Sequence, residues 1–311
     1  MKNDGYLIAL AWPETYCKQA GGWYDPLLSF LRISSNNYYK VGHAALVLVT
    51  THQSEAHYFD FGRYHAPFGH GRVRSKLTDH ELIIHTKLAF DSKGNILNLQ
   101  YLLEEVANKE ACHGIGPLHA GIYPVNVAKA HAKANELQQK QHIPYGPFLK
   151  NGSNCSRFVR DVMKAGFTHP LNKILLYLPL VLTPTPKGNV RLLKNKFVIN
   201  PRIKTHQCAP EKKTKTALLS TLSPPLKPKN IPYASQWLSG EGAGSWFHIS
   251  TQNERFLVER FSPEGQLECQ GIFRSSQTIN LSSEFHVHYP SNCQQISLII
   301  KNELFQLEAI K

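Results

Sequence analysis

Cys155 stands in GSNCSRFVRDV, behind Ser153 and Asn154 and ahead of Phe158, Val159 and Val162, whose spacing suits one face of a helix. A cysteine in the first turn of such a helix meets backbone N–H groups that have no intrahelical partner, at the positive end of the helix dipole. Both effects favour the thiolate, which is the nucleophilic form. His43 stands near the start of the apolar run VGHAALVLV, directly after Gly42. A glycine there admits a close neighbour, whether another side chain or a substrate backbone. An imidazole beside a thiolate accepts its proton and returns it to a leaving group, so the two residue types together suit acyl transfer through a thioester. Each alone has a plainer reading: a small buried residue at a helix start, and a core or strand-edge histidine. An oxyanion hole would use the backbone N–H of Cys155 and one further donor. Tyr145 in PYGPF and Asn154 are candidates, but turn packing and helix capping also account for them.

These residues need elements to hold them. GYLIALAWP alternates as a strand ending near Pro13, Tyr39 to Thr51 reads as a strongly buried strand, and Glu55 to Tyr64 reads as its antiparallel partner across a short hairpin. RVRSK and ELIIHTKLAF suggest two further strands or strand fragments, and GPLHAGIYP another. Helical spacing marks 96–108 and the Ala-, Lys- and Gln-rich segment 125–141. Asn154 is placed to cap the cysteine helix and Gly166 to end it. From 201 to 232 the chain turns rich in lysine and proline, and from 233 onward short alternating runs separated by PEG and PSN turns predict a small all-β domain of about six strands. The expected division is therefore a catalytic domain over 1–200, a basic linker over 201–232 and a β domain over 233–311.

The GHAALVLV strand, the YFDFG strand after it, the Ala-rich helix and IPYGPFLKNGSNCSRFV together resemble the permuted branch of the NlpC-type papain-like cysteine hydrolases. Lecithin–retinol acyltransferase-like enzymes belong to that branch, in which the histidine strand precedes the cysteine helix. The resemblance covers residues 1–200, and the added C-terminal β segment marks a bacterial subfamily. It implies an α+β fold, with a permuted papain-like domain followed by the small all-β domain. It also implies Cys155 as nucleophile, His43 as base, and a third group on the strand after the histidine, which offers His57, Tyr58, Asp60 and Arg63. Strand alternation puts Tyr58 and Asp60 on one face, opposite His57, Phe59 and Phe61. Asp60 is preferred, because a carboxylate both holds the ring and stabilises imidazolium. His57 stays open, since acyltransferase-like members use a second histidine.

The expected function is thus a cysteine hydrolase or acyltransferase acting on an amide or ester, with a peptide, cell-wall peptide or lipid ester as substrate and no metal or organic cofactor. The alternative is an inert binding module whose β domain recognises a glycan or protein. Six cysteines, Cys17, Cys112, Cys155, Cys208, Cys269 and Cys293, are spread without a CxxC pair, so neither a zinc site nor a disulfide framework is expected. Of the net +13 charge none comes from residues 233–311, where five basic residues face eight acidic ones. The excess gathers between Lys187 and Lys229, a region short of the aromatics that stack bases, so nucleic acid is not an expected partner. The run ILLYLPLVL at 174–182 is far shorter than the ~20 residues that span a bilayer, and reads as a core helix or buried connection. Asp4 and the brief apolar run after it argue against a secretory signal, giving a cytoplasmic expectation.

Overall fold

The computed structural model describes residues 2–19, 25–30, 34–35, 38–177, 183–202, 223–281 and 283–310. Two antiparallel sheets of seven strands organise these residues, together with a few short helices and a small three-stranded sheet. The first sheet runs, edge to edge, Asn195–Ile199, Leu118–Val125, Gly5–Trp12, His43–Thr50, Ala56–Gly62, His70–Ser75, Ile143–Pro144. The histidine strand, His43–Thr50, lies at its centre, paired from Trp12↔His43 to Gly5↔Thr50 on one side and with Ala56–Gly62 on the other.

That central place explains the unbroken apolar run. Ala44, Leu46 and Leu48 pack beneath the helices Val127–Gln139 and Cys155–Gly166, while Ala45, Val47 and Val49 pack on the opposite face with helix Leu99–Asn108. A strand buried on both faces has no solvent side to carry polar residues. The cysteine helix, Cys155–Gly166, buries Phe158, Val159, Val162 and Met163. Asn154 caps it, its side-chain oxygen accepting from the Arg157 N–H at 2.8 Å. Gly166 is the last helical residue, yet its backbone is not left-handed. A Cβ there would stand 3.0 Å from Ala130 Cβ, so this glycine serves helix–helix approach rather than a C-terminal cap.

Not every expected strand forms. RVRSK lies in the strand His70–Ser75, but ELIIHTKLAF folds as a short 3₁₀ turn, His80–Leu82, followed by irregular chain with a single bridge, Phe90 to Ile96. Leu82, Ile84 and Leu88 are buried, which accounts for the strand-like alternation. The backbone N–H groups of His85 and Thr86 are taken by the Glu105 carboxylate at 2.8 and 2.7 Å. A side chain thus replaces the ladder partner.

The C-terminal sheet has seven strands where about six were expected, ordered Gln236–Leu238, Ser245–Gln252, Arg255–Phe261, Leu267–Ser275, Glu303–Ala309, Gln295–Ile300, Phe285–His288. The Gln236 amide donates to the Phe285 carbonyl at 2.8 Å and accepts from the Val287 N–H at 2.9 Å, so one side chain ties the two edges together. This near-barrel closes over Phe247, Phe256, Phe273, Ile296, Leu298 and Leu307. Of the basic segment, 203–222, with Cys208, lies outside the described residues; Ile231 at its far end is buried against Trp246 and Phe261. Of ILLYLPLVL, 178–182 lies outside them too, while Leu176 is buried and Ile174 exposed in helix Pro170–Tyr177. No helix among the described residues is long and apolar enough to cross a membrane.

Candidate active site

His43 opens the central strand, and its ring lies on Trp12, 5.8 Å between centroids and 24° from parallel. Gly42 before it has φ +80, and a Cβ there would meet the Trp12 carbonyl oxygen at 2.8 Å. The close neighbour that this glycine admits is therefore the chain's own backbone. On the adjacent strand Asp60 pairs with Ala45 and shares the face of Tyr58, while Phe59 and Phe61 face the cysteine helix. His57 stands against His131, with ring centroids 5.5 Å apart, on the helix side of the strand and away from His43. Asp60 Oδ2 is 3.6 Å from His43 Nε2, an ion-pair separation slightly beyond a hydrogen bond. With Nε2 turned to Asp60, Nδ1 is the ring nitrogen left for the thiol. Cys155, at the first turn of its helix, is buried beside the same ring and within reach of the Ala44 N–H.

The electrostatics follow from this placement. Burial works against the charged form of His43, but the polar contacts with Asp60 and Cys155 and their charges outweigh it, raising the ring to about 9. Burial likewise opposes the Cys155 thiolate. The His43 hydrogen bond and charge, with the Ala44 N–H and Ser156, overcome that and bring the thiol below its ordinary value. Asp60, also fully buried, is held down at about 2 by the Arg74 charge, by the nearby His43 ring and by the hydrogen bonds from Arg74. Arg74 grips the carboxylate with both arms, Nε to Oδ1 at 3.0 Å and Nη2 to Oδ2 at 2.6 Å, and lies 3.8 Å from the centre of the Tyr64 ring. Tyr58 adds its hydroxyl to Oδ2 at 3.2 Å. Arginine, carboxylate, imidazole and thiol stand in a row in which each group favours the opposite charge on the next.

Arg74 was not singled out from sequence, although it pairs directly with Asp60 across the two strands; Tyr58, one of the residues offered for the third place, supports Asp60 instead. Other wall residues come from further away. A cavity of about 500 Å³ opens over Cys155 and His43, lined also by Cys17, Lys18, Arg63, Tyr145, Glu110 and Glu241. Glu241 belongs to the SGEGAGS segment beside the C-terminal sheet. Its carboxylate takes Arg63 Nη1 at 2.7 Å and the Gly69 N–H at 2.8 Å, and the Gly242 N–H donates to the Arg63 carbonyl at 2.8 Å. Tyr145 stacks on Phe61 beneath the Arg63 guanidinium, with its hydroxyl 3.7 Å from Cys17 Sγ. Asn154 spends its side-chain oxygen on the helix cap.

A thiol–imidazole–carboxylate row at the mouth of a cavity of mixed polar and apolar lining is the arrangement that nucleophilic chemistry calls for. The model of the family "Type VI secretion system effector TseH-like" matches residues 7–170, more than half the chain, and the chain belongs to that family. A second family model, "DUF6695 C-terminal domain", matches residues 235–310, the extent of the C-terminal sheet. The crystal structure of the type VI secretion system effector TseH is similar at 17% identity, covering 64% of this chain and 94% of the other, with a TM-score of 0.42. No curated protein matches the chain.

Proposed function

We propose that this chain is a type VI secretion effector whose residues 1–200 form a permuted papain-like, NlpC-type cysteine hydrolase or acyltransferase, joined through 201–232 to the β domain at 233–311. The observation that carries the reading is the buried row Arg74–Asp60–His43–Cys155, which favours thiolate and imidazolium together at the wall of a cavity. Asp60 orients the ring and stabilises its charge, and Arg74 keeps Asp60 ionised. The Cys155 thiolate attacks a substrate carbonyl carbon, and the resulting oxyanion is met by the helix N-terminus. As the C–N or C–O bond breaks, imidazolium gives its proton to the departing amine or alcohol. Water, or another acceptor, then surrenders a proton to His43 and displaces Cys155 from the thioester.

The substrate that suits the cavity is an amide in a peptide with charged groups, such as a cell-wall peptide, because Lys18, Arg63, Glu110 and Glu241 line it. A long acyl chain would leave the exposed Glu110 carboxylate facing hydrocarbon. The test is turnover of cell-wall peptide fragments and of a lipid ester by the full chain and by Cys155→Ala and His43→Ala. New amine from the peptide substrate, reduced at least ~10³-fold in both variants, supports the reading. Turnover of the ester alone moves the substrate to a lipid, and turnover that survives Cys155→Ala overturns the mechanism.

A further inference from the structure

A second cluster of ligating side chains lies outside the candidate active site, where the two sheets meet. His80 opens the 3₁₀ turn beside the first sheet, Cys269 sits in strand Leu267–Ser275, and Cys293 lies in the turn before strand Gln295–Ile300. Their ligating atoms all fall within 4.8 Å of one another, with Cys269 Sγ 3.6 Å from His80 Nδ1. Among the described residues this is the one group of three such side chains with that spacing. Tetrahedral zinc holds its sulfur and nitrogen ligands roughly 3.3 to 3.8 Å apart, given bonds of ~2.3 and ~2.0 Å. The Cys269–His80 separation already fits, and the widest separation needs side-chain adjustment of about 1 Å.

The backbone holds the cluster in place. The Cys293 N–H donates to the Thr78 carbonyl at 3.0 Å, two residues before His80. Arg260, paired with Cys269 across the strands, anchors the same corner through Asp79 at 3.2 Å, Glu81 at 2.6 Å and Glu268 at 3.0 Å. Three carboxylates on one guanidinium leave the surroundings receptive to a cation, with Arg72 committed to Asp79. Both cysteines are buried, whereas His80 reaches solvent and gives a path of entry.

We propose that His80, Cys269 and Cys293 form a binding site for a thiophilic divalent cation, with zinc as the natural occupant, that fastens the C-terminal sheet to the first. Two thiols release their protons as two metal–sulfur bonds form, His80 supplies neutral nitrogen, and water takes the fourth position. Because the ligands come from both sheets, occupancy resists their separation.

The test is titration of the full chain with Co²⁺, in a Cys155→Ser background so that the cavity thiol contributes nothing. The expected result is one equivalent bound, with thiolate-to-cobalt charge transfer in the near ultraviolet and visible bands of tetrahedral cobalt, displaced by Zn²⁺. His80→Ala, a change at an exposed side chain, weakens binding at least ~10-fold, Cys269→Ser reduces the sulfur band by about half, and Cys269→Ser with Cys293→Ser removes it. At the same concentration zinc raises the unfolding temperature of the parent more than that of His80→Ala. Absence of the sulfur band, a spectrum unchanged by His80→Ala, or a Cys269–Cys293 disulfide as the resting state would each overturn the site.

Discussion

Asp60 shows how one buried side chain sets the character of its neighbours. Its pKa lies near 2 against an ordinary 3.8, so its contribution to stability is complete above 3.8 and is lost as pH falls toward 2. The linkage is worth about 2 kcal/mol. His43, raised from 6.5 to about 9, contributes with the opposite sign: fully below 6.5, and lost as pH rises through 9, by roughly 3 kcal/mol. Urea unfolding followed from pH 2 to 10 is expected to show both flanks. Asp60→Asn is expected to remove the acid flank, to lower stability by several kcal/mol because Arg74 is left buried without its counter-charge, and to move Cys155 alkylation to higher pH. Retention of the wild-type acid flank in Asp60→Asn would refute this assignment. At this scale Cys155 and His43 were legible because each sits in a telling local context. Arg74 was not, because cross-strand pairing with Asp60 depends on a register that one strand's sequence does not carry. Cys112 marks the contrast: it is equally buried but lacks a cationic partner close enough to offset burial, and its thiol is pushed up to about 12.

Among the elements, long apolar runs and the helix cap could be read in advance because their causes are local. The cysteine helix starts where Asn154 takes the Arg157 N–H, and the central strand runs where both faces are covered. Asn154→Ala is expected to cost about 1 kcal/mol in urea unfolding and to slow Cys155 alkylation, since the first turn frays where the thiolate depends on it. Unchanged stability would show that the cap contributes nothing. ELIIHTKLAF was misread for a nonlocal reason: Glu105, some twenty residues on, takes the N–H groups that a neighbouring strand would otherwise need. The seventh C-terminal strand, Gln236–Leu238, is only three residues long, too short for alternation to declare itself, and is fixed by the Gln236 amide.

For the whole molecule, the pattern of short runs separated a mixed helix-and-strand first part from an all-β second part, but not the residues through which they meet. SGEGAGS reads as a flexible connection with the option of touching the first part, and the contact is made by Glu241, which is buried and tied to Arg63 in the cavity wall. Glu241→Ala strands the buried Arg63 charge and is expected to cost about 3 to 5 kcal/mol. It should also raise KM on a peptide substrate more than it lowers kcat, because Arg63 lines the cavity without touching the thiol. An unaltered KM would separate the C-terminal part from substrate binding. The His80, Cys269 and Cys293 cluster was hidden for the same reason, since its ligands are scattered along the chain and no short motif announces them.

The central claim is that His43 holds Cys155 as a thiolate, and its most direct test is site-resolved alkylation. The intact chain is treated with a low dose of iodoacetamide near pH 6.5 and mapped by mass spectrometry, in wild type and in His43→Ala. The expected result is Cys155 labelling at least ~10-fold faster than Cys17, Cys112, Cys208, Cys269 and Cys293, with that advantage lost in His43→Ala. Labelling of Cys155 no faster than the other five, or equally fast without His43, would contradict the account.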